Sequence, residues 1–159
     1  MSDAQAVLEE LLQLPLCDSL GGCDPEAMAA LAELGRIERF GPDEVLFEAG
    51  APATELRFVV SGRVALSFRD PAVGVRTIGS VSPGDLLGWS ALREGATWSV
   101  GAHTTKPTRC ITFSGDELRA LCDRDRELGF CLMRFVFEVV AQRLADCRVQ
   151  LLDLYGRPR

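Results

Sequence analysis

The sequence predicts a mainly β protein, a jelly-roll β-roll of about eight short antiparallel strands with flanking helices. Two observations carry this prediction. Short β-prone runs follow one another between Arg36 and Phe113, and helical patterns occupy both ends of the chain. Glycines separate the β-prone runs at intervals of 9, 12, 12 and 10 residues: Gly41, Gly50, Gly62, Gly74 and Gly84. Turn signals at this spacing are typical of sandwiches and barrels built from short strands.

Helices are predicted before the strands. Between Ala4 and Leu14 the apolar residues recur at helical spacing, and Pro15 ends this segment. A second helix is predicted from Asp24-Pro25, because an aspartate caps a helix N-terminus well and proline is tolerated at the first helical position.

Seven runs are predicted to be strands. Their side chains alternate in part, so that Leu56 and Phe58 face one side of a sheet, as do Val64 and Leu66. The predicted strands are Arg36–Phe40, Val45–Glu48, Leu56–Val60, Val64–Phe68, Val75–Val81, Trp98–Thr104 and Arg109–Phe113.

Two further helices are predicted after the strands. Ser114 and Glu117 form a capping box, and Asp125 caps a long helix from Arg126 to Tyr155. We therefore expect a single domain over residues 1–159, with N-terminal helices in 1–35, the β-roll in 36–113 and C-terminal helices in 114–155.

Composition excludes several functions. The net charge of −6 disfavours direct binding to nucleic acid, because contacts to phosphate dominate that affinity. No apolar run approaches the ~20 residues of a membrane span. The first twenty residues carry four acidic side chains and no Lys or Arg, unlike a signal peptide. We expect a cytoplasmic protein that binds neither membrane nor DNA, since no helix-turn-helix pattern follows Tyr155.

The segment from Gly84 to Leu92, with the sequence GDLLGWSAL, is the most informative one for function. A Gly-Asp turn precedes two apolar residues, and a second glycine, Gly88, opens a short helix-like stretch. Backbone N–H groups at a helix N-terminus lack intrahelical partners and favour an anion. The segment therefore predicts an anion-binding turn at Gly88–Ser90.

This segment resembles the phosphate-binding cassette of cyclic nucleotide-binding domains, the sensor modules of the catabolite activator and Fnr families. The segments Gly41–Phe47 and Val59–Val64 are similar to two strand motifs of the same family, and the order of elements matches it from about Leu11 to Tyr155. The resemblance implies a β-roll sensor without enzymatic activity. It also implies that the roll takes a cyclic nucleotide or another small anionic ligand.

The chain departs from the family at both charged anchors. Family members have Glu directly after the second glycine, where it holds the ribose, and an Arg further on that pairs with the phosphate. Here Trp89 and Ala96 stand at these positions, and the loop between them is about two residues shorter. Arg93 is either a substitute cation or a solvated loop charge.

The resemblance and the helix register together give the candidate ligand-binding residues. Trp89 either shapes the pocket or belongs to the core, whereas we expect Trp98 to belong to the core. By register on the last helix, Cys147 and Arg148 match the region where family members contact the base. The full set is Leu87, Gly88, Trp89, Ser90, Ala91, Leu92, Arg93, Ala96, Thr97, Trp98, Cys147 and Arg148.

The last helix carries two apolar stripes, which predict a homodimer. One stripe recurs at steps of three and four, the heptad pattern of a coiled coil. It contains Phe130, Met133, Phe137, Val140, Leu144, Cys147, Leu151 and Leu154. A second stripe runs beside it from Leu128 to Val139. One face is therefore expected to cover the β-roll while the other contacts a second copy, as the resemblance also implies.

The cysteines and the single histidine give weaker signals. Cys17 and Cys23 resemble the N-terminal cysteines of Fnr-like redox regulators, but an iron–sulfur cluster usually needs four thiolates. His103 alone supports neither a metal site nor a Ser-His-Asp triad, so we expect no metal.

The sequence as a whole predicts a non-enzymatic sensor module that dimerises and signals to a partner protein. Two alternatives stay open: a degenerate β-roll that serves as an interaction scaffold, and a redox sensor that uses Cys17 and Cys23.

Overall fold

A computed structural model describes residues 2–19 and 24–156 and confirms the predicted fold class. In this part of the chain, eight antiparallel strands form two four-stranded sheets between leading and trailing helices. The helices are α1 (Asp3–Leu11), α2 (Leu16–Ser19), α3 (Pro25–Leu34), α4 (Gly115–Arg124) and α5 (Arg126–Tyr155). The strands are β1 (Arg36–Phe40), β2 (Val45–Phe47), β3 (Glu55–Ser61), β4 (Val64–Asp70), β5 (Gly74–Val81), β6 (Leu86–Leu87), β7 (Gly101–Thr104) and β8 (Thr108–Ser114).

Side-chain caps begin α3, α4 and α5 where the sequence predicted them. The Asp24 carboxylate accepts from the Glu26 N–H at 3.0 Å at the start of α3. The Ser114 hydroxyl accepts from the Glu117 N–H at the start of α4. The side chain of Asp125 accepts from the Leu128 N–H at 3.0 Å and begins α5. These local bonds satisfy amides that a helix leaves unpaired at its N-terminus.

Strand β7 begins later than predicted. Trp98 was expected at its start, but the strand begins at Gly101. The backbone of Trp98 instead accepts a hydrogen bond from the Gly50 N–H at 2.8 Å and donates one to the Ala51 carbonyl at 2.9 Å. The prediction of a strand at Trp98 was wrong because a neighbouring loop takes these hydrogen bonds.

The two sheets and the helices form three layers. The first sheet has the order β1-β8-β3-β6 and the second has the order β2-β7-β4-β5. The main core lies between the first sheet and the helices, where Phe58 contacts the rings of Phe113 and Phe135 at centroid distances of 6.0 Å. A smaller apolar cluster lies between the sheets and contains Val59, Val64, Val81, Leu87, Ala102 and Cys110.

Helix α5 has the two faces that its sequence predicted. Leu128, Leu132 and Phe135 are buried against the main core, whereas Phe130 and Phe137 are 66% and 67% exposed. Beyond Arg143, every residue from 144 to 156 is exposed. The face that covers the roll is therefore present, and contact between the other face and a second copy stays a prediction.

Candidate functional site

The cassette follows the edge strand of the first sheet. Strand β6 pairs with β3, where Leu87 lies opposite Arg57 and Leu86 opposite Phe58. Gly88 has a φ of 85° and leads into a 3₁₀ turn, Trp89–Leu92, called here the cassette helix. A Cβ at Gly88 would lie 2.6 Å from the Glu55 carbonyl oxygen and 3.0 Å from the Trp98 ring. Only glycine therefore lets the chain turn this close to β3.

Helix α4 packs directly against the cassette helix. Arg119 donates to the Ala91 carbonyl oxygen at 2.8 Å and also forms an ion pair with Asp116. At Gly115 an added Cβ would lie 2.4 Å from that same carbonyl oxygen, so the two backbones are in close contact. The C-terminal end of the cassette is thus fixed to the first turn of α4.

Helix α5 holds the other end of the cassette. The half-buried Arg143 side chain donates to the carbonyl oxygen of Leu86 on β6. Burial lowers the pKa of Arg143, and the nearby Asp85 carboxylate partly offsets this effect. Arg143 is not among the site residues that the sequence predicts. Its spacing in the sequence could have identified it, since Arg143 comes four residues after Val139 and so lies on the helix face that covers the roll.

The predicted site residues fall into three groups in the structure. Residues 87–91 and Trp98 are brought together around Gly88, where Leu87 and Trp98 are 1% and 6% exposed. Ala96 and Leu92 are half-buried beside the main core. The other four predicted residues are not buried around Gly88. All four are exposed: Arg93, Thr97, Cys147 and Arg148.

The two tryptophans occupy different surroundings. Trp98 stacks on Phe47 with ring centroids 4.0 Å apart and an interplanar angle of 16°. Its ring also lies against Gly88, so it fills space directly beside the cassette turn. Trp89 is half-buried and packs against the main core. Trp98 thus has the core role expected for it, and it also limits the room at the turn.

A network of charges lies beside the cassette strand. Arg57, opposite Leu87, is 6% exposed and forms ion pairs with Glu38 and Glu55. Arg36 pairs with the same two glutamates. The buried Arg57 guanidinium therefore has two carboxylates beside it, which limits the cost of its desolvation.

A cavity of about 660 Å³ lies beyond the end of the cassette helix. Leu92 and Glu94 line one side, and Arg119, Phe130 and Met133 of α4 and α5 line the other. The cavity borders the cassette only through Leu92, and it opens beside the exposed apolar face of α5.

The cysteines of the described residues are dispersed. Burial raises the pKa of Cys110 to about 11, with smaller and opposed effects from Arg57 and Glu38. Burial also raises the pKa of Cys122. Cys147 is exposed, and Cys23 lies outside the described residues. Within residues 2–19 and 24–156, no three His, Cys, Asp or Glu side chains are grouped as metal ligands.

We expect the native thiols to differ in their reaction with dithionitrobenzoate near neutral pH. Cys147 should react at once in a monomer and slowly where α5 packs on a second copy, whereas Cys110 should react only after unfolding, because a buried neutral thiol is a poor nucleophile. Time-resolved absorbance measures both phases. Cys147→Ser should remove the phase that Cys147 contributes, and fast reaction of Cys110 in the folded protein would contradict its buried position.

None of the helices in the described residues is both long and apolar enough to cross a bilayer.

Comparisons with known proteins agree with this geometry. Residues 37–125 match the family model described as the cyclic nucleotide-binding domain. Glutaminase 2 of Bradyrhizobium diazoefficiens is 30% identical over 138 residues, which are 86% of this chain and 21% of that protein. The chain thus spans about a fifth of this relative's length.

Two solved structures share the fold. A cyclic nucleotide-binding domain from Methylobacillus flagellatus superposes with a TM-score of 0.78 and 21% identity, over 94% of this chain and 83% of the other. A putative cyclic nucleotide-binding protein from Geobacter metallireducens gives a TM-score of 0.73 and 26% identity, over 86% and 96% of the two chains. The match over residues 37–125 spans more than half of the sequence, and with the eight-strand roll and its cassette it shows that this chain belongs to the cyclic nucleotide-binding domain family, a family of regulatory domains.

Proposed function

We propose that this chain is a non-enzymatic sensor whose altered cassette binds a small anionic ligand and passes the signal to a partner protein through α5. The observation that carries the proposal is the attachment of the cassette to both trailing helices, through Arg119 of α4 and Arg143 of α5. A change at the turn is thereby transmitted to the helix that leaves the roll. We place this activity in the cytoplasm, without direct contact to DNA or membrane.

A ligand that survives purification tests the sensor function most directly. Mass spectrometry of the denatured, freshly purified protein should detect a small anionic molecule in stoichiometric amount. The absorbance spectrum of the same sample separates the redox alternative, since an iron–sulfur cluster colours the protein. A colourless protein that carries no small molecule would favour the scaffold function, provided that the double variant Trp89→Glu, Ala96→Arg also fails to bind either nucleotide.

We expect cyclic AMP and cyclic GMP to bind weakly or not at all. Trp89 and Ala96 replace the two charged anchors, each worth ~1.5–3 kcal/mol, so their joint loss costs about 3–6 kcal/mol. This corresponds to a 10²- to 10⁴-fold loss of affinity, roughly. Calorimetry with both nucleotides measures it, and a dissociation constant below about 10 μM would contradict the expectation.

The double variant Trp89→Glu, Ala96→Arg is the companion experiment. Binding gained by this variant would assign the loss to those two side chains. If the variant folds and still binds neither nucleotide, the short loop and the Trp98 ring beside Gly88 have closed the pocket, which favours the scaffold function.

We also propose that the exposed face of α5 forms a homodimer. The eight residues of the heptad stripe are apolar or cysteine, and Phe130, Phe137, Leu144, Leu151 and Leu154 are each more than half exposed in the single chain. Such a continuous apolar stripe is typical of a helix that packs on a partner helix.

Leu144→Lys combined with Leu151→Lys is expected to give monomers, because the two lysines place charges in the helix seam. Light scattering after size exclusion measures the mass. The matched control is Gln142→Lys with Gln150→Lys, which changes exposed positions on the same helix outside the stripe and should leave the dimer intact. A wild-type monomer at tens of micromolar, where a dimer worth ~8 kcal/mol would persist, contradicts the proposal.

A further inference from the structure

Strand β5 is an exposed edge of the second sheet. It ends the order β2-β7-β4-β5, so β4 is its one neighbouring strand in the described part of the chain. A bulge at Ile78 limits the regular part of its free edge to residues 74–77, each of which is exposed. The backbone groups on that side pair with no other strand of the described residues, and such a row of N–H and C=O groups can bind a second extended chain.

The hairpin formed by β4 and β5, residues 64–81, carries most of the exposed apolar surface outside α5. Among the described residues beyond that helix, six large apolar side chains are exposed, and four of them belong to the hairpin. Their exposed fractions are 45–61%, and they are Phe68, Val73, Val75 and Ile78. Single exposed apolar side chains are ordinary, but a group of four around a free strand edge is typical of a surface that contacts another protein.

A hollow of about 680 Å³ lies on the outer face of the second sheet, beside the hairpin. Val75 of β5 lines one side and Val45 of β2 lines the other, with Ser67 of β4 between them. The floor is low at Gly101 of β7, where an added Cβ would lie 3.1 Å from the Ser67 Oγ. An extended chain that adds to β5 therefore has room for its side chains on this face.

The hairpin carries two arginines without an acidic partner. Arg69 lies opposite Val75 and Arg76 lies opposite Phe68, so the two arginines are on opposite faces of the hairpin. Both side chains are exposed, and neither forms an ion pair with another described residue. A basic patch on a chain with a net charge of −6 favours a partner that supplies carboxylates.

A second copy of this chain does not match these charges. The one acidic residue of the hairpin, Asp70, accepts from the Ala72 and Val73 N–H groups at 2.7 and 3.2 Å and stabilises the turn. The acidic residues of the hollow, Asp43 and Glu48, flank β2 at the other end of the sheet. Two paired β5 strands would therefore bring arginines together without free carboxylates, and like charges oppose strand pairing.

We propose that the β4–β5 hairpin binds an extended acidic segment of a partner protein, which adds to β5 as a further strand. The carboxylates of the segment pair with Arg69 or Arg76, and its apolar side chains cover Val75 and the hollow. The surface belongs to the second sheet, whereas the cassette follows the edge of the first. The inference therefore goes beyond the proposed function and does not depend on it.

Hydrogen–deuterium exchange of the full chain tests this surface. The probe is a short peptide of alternating valine and glutamate with both termini blocked, added up to about 1 mM, the range of weak binding. We expect the peptide to slow amide exchange in residues 74–77, because the outward N–H groups gain carbonyl partners. The matched peptide with lysine in place of glutamate should bind at least about tenfold more weakly.

Charge reversal at the two arginines gives the second readout. Arg69→Glu combined with Arg76→Glu should weaken binding of the glutamate peptide at least about tenfold and strengthen binding of the lysine peptide. The matched control is Arg39→Glu with Arg63→Glu, which makes the same change in net charge at exposed arginines outside the hairpin and should leave both affinities unchanged. If a variant fails to fold, the two peptides on the unchanged chain still distinguish an acidic partner from a basic one.

Three results would overturn the proposal. The first is unchanged exchange in residues 74–77 with the glutamate peptide, in which case the arginines only protect the edge from pairing. The second is equal binding of both peptides, or equal weakening by the control variant. The third is protection of residues 74–77 that rises with protein concentration without peptide, which would assign the edge to a second copy. Each of these leaves the sensor function and the α5 dimer unaffected, because neither of them involves β5.

Discussion

Phe58→Ala is expected to lower the free energy of unfolding by about 3–5 kcal/mol, the usual cost of removing a buried phenylalanine. Phe58 is 1% exposed, and its ring lies 6.0 Å from the rings of both Phe113 and Phe135. It therefore joins two strands of the first sheet to α5. The cavity left by alanine cannot collapse without moving the sheet or the helix, and urea unfolding followed by circular dichroism measures the loss.

Phe68→Ala is the matched control, because it makes the same chemical change at a side chain that is 49% exposed. Its expected loss is within about 1 kcal/mol, as for most surface substitutions. Equal losses at the two positions would show that Phe58 does not hold the sheet and α5 together.

Gly88→Ala is expected to lower the free energy of unfolding by about 2–5 kcal/mol, as the sum of a left-handed backbone and an overpacked contact. Gly88 has a φ of 85°, and its added Cβ would lie 2.6 Å from the Glu55 carbonyl oxygen. The backbone of β3 cannot give way as a flexible side chain does. We therefore expect the cassette helix to move away from β3, and thermal and urea unfolding measure the cost.

Gly95→Ala is the control that separates the cost of a positive φ from the cost of the close contact with β3. Gly95 also has a positive φ, of 68°, but nothing lies within 4 Å of its Cβ position. Its expected cost is the backbone strain alone, about 1–2 kcal/mol. If Gly88→Ala costs no more than Gly95→Ala, the close approach between the cassette and β3 does not contribute to stability.

Local signals explain what the sequence predicted well. The caps at Asp24, Ser114 and Asp125 act within two or three residues, so their pattern is visible in the sequence. The strand runs are bounded by glycines, and all seven of them correspond to strands of the roll. The eighth strand, β6, has two residues, too few for an alternation pattern to identify.

Long-range contacts explain what the sequence did not reveal. The bond between Arg143 and Leu86 spans 57 positions, and the ion pair between Arg109 and Glu10 spans 99. Neither follows from periodicity, because the contact depends on how the layers pack. The position of Trp98 was misjudged for the same reason, since its backbone partners lie in the loop at Gly50 and Ala51.

The length of α5 has a mechanical consequence. Its 30 residues extend for about 45 Å, and the exposed part beyond Arg143 accounts for roughly 20 Å of that length. A tilt of about 10° at Arg143 would therefore carry the far end of the helix sideways by roughly 3 Å, the width of a hydrogen bond. Under the proposed sensor function, a small change in the angle of α5 at Arg143 would therefore displace Leu154 much further than it displaces Leu86.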